Sequence, residues 1–106
     1  MPVSRLLERS TISQLEYIRQ TKKKYDANSF QGYYEITSLT GTINTMDGEY
    51  YAHLHMSAGN QKGEVFGGHL NRAIVSATCE MVITVIDGRV DRVHDEETGL
   101  NIFKFD

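Results

Sequence analysis

The chain has 106 residues, 40% of them hydrophobic and 24% charged, with one Pro and one Cys; this is the make-up of one folded domain, read here as residues 1–106, with no linker or second domain. A formal net charge of -3 and an isoelectric point near 5.8 run against a DNA-binding surface, which needs concentrated basic charge. A lone cysteine excludes an internal disulfide, and no stretch approaches the roughly 20 apolar residues of a membrane span.

The opening MPVSRLLERS lacks the apolar core of a signal peptide, so a cytoplasmic protein with no membrane partner is expected. The next stretch, RLLERSTISQLEYIRQTKKK, holds enough Leu, Glu, Arg and Gln for a helix. Ile12 to Tyr17, however, contains several β formers and no cap pattern. A strand to about Arg19, a turn at TKKK and a second strand in YDANSF is therefore the alternative. Lys22, Lys23 and Lys24 suit a solvated turn better than a phosphate contact.

From Tyr33 the pattern is β. YYEITSLTGTI is rich in Tyr, Ile and Thr, and Asp47-Gly48 after it is a hairpin signal. EYYAHLHM alternates as a strand should. AGNQKG is a second turn, and EVFGGHL reads as the return strand, so these pieces form a meander. Ile74 to Ile86 also alternates, with Val75, Ala77, Cys79, Met81, Ile83 and Val85 on a wholly apolar face expected in the core. Cys79 is expected to be a small buried side chain there. The opposite face carries one charge, Glu80.

The histidines give the chemistry. In a strand, residues i and i+2 point the same way, so His53 and His55 share a face. With the hairpin centred on Gln61, His53 lies opposite His69, and three imidazoles converge. A register shift of one residue would send His69 to the other face. Three neutral imidazoles suit zinc or another divalent transition metal and leave a coordination position for water or a small-molecule ligand. The HxH pair taken alone is better read as polar residues on a solvent-facing strand, and it is the third histidine at hairpin-compatible distance that reverses this. Gly67 and Gly68 either allow a ligand or another backbone close approach beside the third ring or mark a bulge, and both readings stay open. Glu80 is a candidate catalytic base or histidine-orienting acceptor, with an exposed strand carboxylate as the plain alternative. His94, among the charges of DRVHDEETG, is expected in a solvated loop or strand edge. Phosphate-binding glycine loops, nucleophile elbows and paired cysteines are missing, so nucleotide hydrolysis, serine esterase chemistry and redox exchange have no support.

GYYEITSLTGTI, the DG turn, AHLHMSAGNQKGEVFGGHL, VSATCEMVI and DEETGLNIF resemble, in order, successive blocks of the PPC (plant and prokaryote conserved) domain family, from about Ser10 to the end of the chain. The resemblance implies an α+β fold around a mainly antiparallel sheet meander, assembled as a homotrimer. It implies that His53, His55 and His69 hold a metal, commonly zinc. It favours the hairpin reading of SQLEYIRQTKKKYDANSF. Family members begin with a further strand and helix, part of which this chain is expected to lack, leaving an edge for partner subunits to cover. The fold is similar to that of the acetolactate decarboxylases, which use a three-histidine zinc site, an analogy of architecture only. Plant members accompany AT-hooks that bind DNA, and prokaryotic relatives carry a DNA-binding label; the hook core Arg-Gly-Arg-Pro is absent here. Three readings follow: a metal-dependent enzyme or small-molecule site, an interaction module with a structural ion, and a DNA-binding regulator.

Overall fold

The computed structural model describes residues 11–21 and 24–105. Among the described residues six strands run in chain order: β1 Thr11–Thr21, β2 Lys24–Met46, β3 Glu49–Gly59, β4 Val65–Val75, β5 Asp91–Asp95 and β6 Leu100–Lys104. No helix occurs among the described residues, so the α component of the expected α+β fold is absent from them. Of the stretch with helix-forming composition, Thr11–Thr21 forms β1, and residues 5–10 lie outside the described residues. The register of β1 with β2, from Thr11 opposite Glu35 to Thr21 opposite Lys24, gives the hairpin, while the turn residues Lys22 and Lys23 lie outside the described residues.

β2 is 23 residues long, and its length is what shapes the fold. Lys24 to Glu35 pairs with β1, and Glu35 to Met46 pairs with β3. β3 then pairs with β4, and β4 returns to β1. All these pairings are antiparallel, so the expected meander closes into a four-stranded ring, with Glu49–Leu54 of β3 paired to β2 alone. β5 joins the end of β2 in parallel through two register pairs, Thr45 opposite Asp91 and Met46 opposite Arg92, and β6 pairs antiparallel with β5.

The turns explain the registers. Asp47 and Gly48 both have positive φ, 52° and 78°, the two-residue arrangement whose twist matches that of the flanking strands. The β3–β4 turn lies one residue further along the chain than the sequence suggests. Asn60 Oδ1 accepts from the amides of Lys62 and Glu64 at 3.0 and 2.9 Å, and Gly63 takes φ 81°. This Asx-type closure spans residues 60–64 and centres the hairpin on Lys62 rather than Gln61.

Inside the ring lie Ile12, Leu15, Tyr34, Met56 and Ala58, with Phe30, Ile36, Leu39, Phe66, Leu70 and Ala73 packed around them. Ile12 and Leu15 are both fully buried although an odd spacing should place them on opposite faces. A bulge between Ile12 and Gln14 shifts the register and reverses the alternation, so both point inward. Burying each such side chain is worth roughly 1.5–3 kcal/mol.

One expectation is overturned. The segment 74–86 contributes only Ile74 and Val75 to a strand, β4. Beyond it the chain runs without a regular strand, and Met81, Ile83 and Val85 are 59%, 64% and 91% exposed. Cys79 is partly exposed rather than buried. Alternation specifies two faces but supplies no neighbouring strand, and of residues 76–90 only Thr78 makes a bridge, an isolated one, in the single chain. The radius of gyration of 15.8 Å, against about 13 Å for a compact domain of 100 residues, fits a molecule with such unpacked parts.

Candidate metal centre

His53 and His55 stand on β3 and His69 on β4. The observed register puts His55, not His53, opposite His69. The difference from the sequence reading is two residues along each pair, which leaves every side chain on its face. The convergence therefore survives the displaced turn. Ring centroids are 5.2 Å apart for His53 and His55, 4.7 Å for His53 and His69, and 5.0 Å for His55 and His69. One ring nitrogen from each lies within 4.8 Å of the others, close to the roughly 4 Å that two bonds of about 2.1 Å to one ion would allow.

Electrostatics keep His53 and His69 in the ligating form. Burial, then the fields of His69, Arg92 and His55, hold the His53 imidazole below its ordinary pKa. Burial, then His55 and Arg92, do the same for His69. Neutral rings expose the lone pair that a metal needs. The donor set thus fits a borderline divalent ion such as zinc.

The histidines form one wall of a cavity of about 410 Å³. β2 contributes Thr40, Gly41 and Thr42, the partners of β3 at His55, Leu54 and His53. The opposite wall is β5 and β6: Arg92, Leu100, Asn101, Ile102 and Phe103, with Tyr51 of β3 between the two. Asn101 Nδ2 donates to the Tyr51 hydroxyl at 3.2 Å, which ties β6 to β3. His94 stays outside as expected, exposed on β5, with its Nδ1 3.0 Å from Asn101 Oδ1.

Two of the other sequence candidates stand differently. Gly67 is a close-approach glycine, and what approaches is backbone: a Cβ there would overlap the Met56 carbonyl oxygen and come within 2.7 Å of Ser57 Cα. Gly68 follows it opposite Met56. Gly41, which the sequence reading passed over, plays the same part on the other side of β3, where a Cβ would overlap the His53 carbonyl. Glu80 is exposed in the segment after β4 and does not line the cavity. Arg92 was missed altogether. It sits in a run of charges that reads as solvated, and no local pattern announces the parallel pairing that buries it.

Comparison with known proteins places this geometry. Residues 10–87 match the family model of the Plants and Prokaryotes Conserved (PCC) domain. A solved structure from Bacteroides thetaiotaomicron, given a provisional DNA-binding name, is 33% identical with a TM-score of 0.86, covering 91% of this chain and 68% of that one. A metal-containing protein of Archaeoglobus fulgidus is 28% identical, TM-score 0.68, covering 91% and 69%. A plant- and prokaryote-conserved (PPC) protein of Pyrococcus horikoshii is 29% identical, TM-score 0.66, covering 90% and 69%. No curated protein sequence matches.

Proposed function

This chain belongs to the Plants and Prokaryotes Conserved (PCC) domain family, and on that premise we propose that it is a cytoplasmic metal-binding domain, assembled as a homotrimer, whose His53, His55 and His69 together hold one zinc ion. The observation carrying this reading is the meeting of three ring nitrogens within 4.8 Å. The metal-containing relative from Archaeoglobus fulgidus points the same way. Three protein ligands leave room for a small molecule in the coordination sphere. When bound, the ion supplies Lewis acidity toward a carbonyl or a water. The chain's own part is to orient and desolvate. The Thr40, Thr42 and Tyr51 hydroxyls offer hydrogen bonds at the cavity, and Leu100, Ile102 and Phe103 of the same cavity exclude water.

The trimer is supported by the exposed apolar run of Met81, Val82, Ile83, Val85 and Ile86, since contiguous apolar surface marks an interface. Glu80 immediately precedes that run, so its proposed role as base or orienting acceptor requires a neighbouring subunit to present it to a histidine site. Metal content of the purified protein, measured with its sedimentation before and after His69→Ala, tests the reading. Loss of the ion with the assembly intact supports a chemical site, and loss of both a structural ion. Wild type that takes up no divalent metal sinks the proposal.

A second reading, DNA binding, is favoured by the provisional name of the Bacteroides thetaiotaomicron relative. A salt-titrated binding assay decides it, because a phosphate interface weakens steeply as salt rises. Absence of binding at low salt removes this reading.

A further inference from the structure

Across the cavity from the histidines stands a group that metal ligation does not need. Arg92 is only 6% exposed, and its guanidinium stays charged at every pH the fold can meet. A buried cation ordinarily has a carboxylate beside it, because lost hydration must be offset by an opposite charge. Arg92 takes part in neither of the ion pairs of the described residues, Arg89 with Asp91 and His94 with Glu96. Its contacts are neutral. Nε donates to Asn44 Oδ1 at 3.1 Å, Nη1 to the Asn101 carbonyl at 2.6 Å, and Nη2 to Thr42 Oγ1 at 3.2 Å. The Tyr51 and Phe103 rings lie 4.9 and 4.4 Å from Cζ, which eases the charge without cancelling it.

The remaining contact links the two walls. Arg92 Nη2 lies 3.4 Å from His53 Nδ1. A neutral imidazole has a single acceptor lone pair. Arg92 and a metal ion would compete for it, so ligation by His53 leaves a guanidinium donor without its acceptor, next to a second positive charge and at the edge of an open cavity. That combination calls for an anion. A planar fork suits a planar carboxylate, and the Leu100, Ile102 and Phe103 side chains suit an organic body attached to it. A phosphate would ask for more, since one guanidinium here stands without a glycine-rich loop or a helix N-terminus.

We infer that the cavity binds the carboxylate of a small organic acid, held by Arg92 beside the histidine cluster. The inference rests on the metal reading for its second point of contact, and the two can fail separately. Cobalt(II)-loaded protein titrated with propionate is the test, with the visible cobalt band and calorimetry as readouts. The expected result is saturable binding that perturbs the band. Arg92→Gln should weaken it about tenfold or more at unchanged cobalt stoichiometry, the scale of one charge-assisted contact of about 1.5–3 kcal/mol. Arg92→Lys, which keeps the charge but loses the fork, should fall between the two and covers the case in which the glutamine variant does not fold. Equal propionate affinity in wild type and both variants overturns the assignment. So does wild type without saturable binding, the result expected if an acidic side chain of a second copy already occupies Arg92. Wild type that binds no cobalt overturns the metal reading alone; metal-free calorimetry then judges Arg92 by the same comparison of variants.

Discussion

The two walls of the cavity are built in unlike ways. The histidine wall belongs to β3 and β4 of the closed ring, where His55 and His69 are paired with strands on both sides and His53 with Thr42 of β2. The arginine wall belongs to β5 and β6, which meet the ring at two backbone register pairs and are otherwise moored by side chains. Ligands for a metal gain from the first kind of support, because a fixed backbone holds ring nitrogens in place. A group that receives a variable ligand gains from the second, where side-chain contacts can be exchanged.

Damage to the ring should be the most costly. Leu15→Ala, which empties a fully buried site, should destabilise the whole domain by about 2–5 kcal/mol in denaturant unfolding. Gly67→Ala, forced against the Met56 carbonyl, should cost about 2 kcal/mol or more and weaken metal uptake with it, since β4 carries His69. If that variant folds normally and binds metal normally, the claim that backbone approach fixes the histidine wall is wrong. Asn44→Ala acts on the other wall: it removes the acceptor for Arg92 Nε and the donor to the Val90 carbonyl at 2.8 Å. A loss of about 1–3 kcal/mol is expected, seen as faster amide exchange in β5 and β6 with the ring amides unchanged. Equal loosening of both walls would erase the contrast.

The pH dependence is the mildest of these effects and also separates the walls. The folded pKa values of His53 and His69 are lowered from 6.5. Below about 6.5 the unfolded chain therefore takes up protons that the folded metal-free chain resists, so stability is complete above that pH and declines as pH falls toward the lowered values. Thermal melts of metal-free protein between pH 7 and pH 5 should show the decline, and His69→Gln should flatten it. Arg92 does not titrate in this range, so Arg92→Lys should leave the slope in place.

The histidine wall was also the legible one. HxH on a strand and a return strand bearing a third histidine depend on strand periodicity, a local property. Even the misplaced turn centre did no harm, because an error of two residues preserves faces, whereas an error of one would have moved His69 away. The DG turn was readable for the same local reason, whereas the β1–β2 hairpin was not: helix-forming composition competed with it, and only the family resemblance favoured the observed pairing, Thr11 opposite Glu35 to Thr21 opposite Lys24. Arg92 was not readable either, since its burial comes from a parallel pairing between Met46 and a residue 46 positions later. The apolar alternation after Ile74 shows the converse limit: the pattern says which side chains share a face and cannot say whether the strand that would cover them belongs to the same chain.

The mooring of β5 to β2 has a further consequence. A hairpin held by two backbone pairs and a few side chains is a separate cooperative unit from a closed ring, and it can detach at a lower free energy than global unfolding requires. The cavity thus has a door whose hinge lies between Val75 and Asp91 and whose latch is Arg92. Exchange of ligand with solvent can proceed through opening of that unit while the histidine cluster stays assembled.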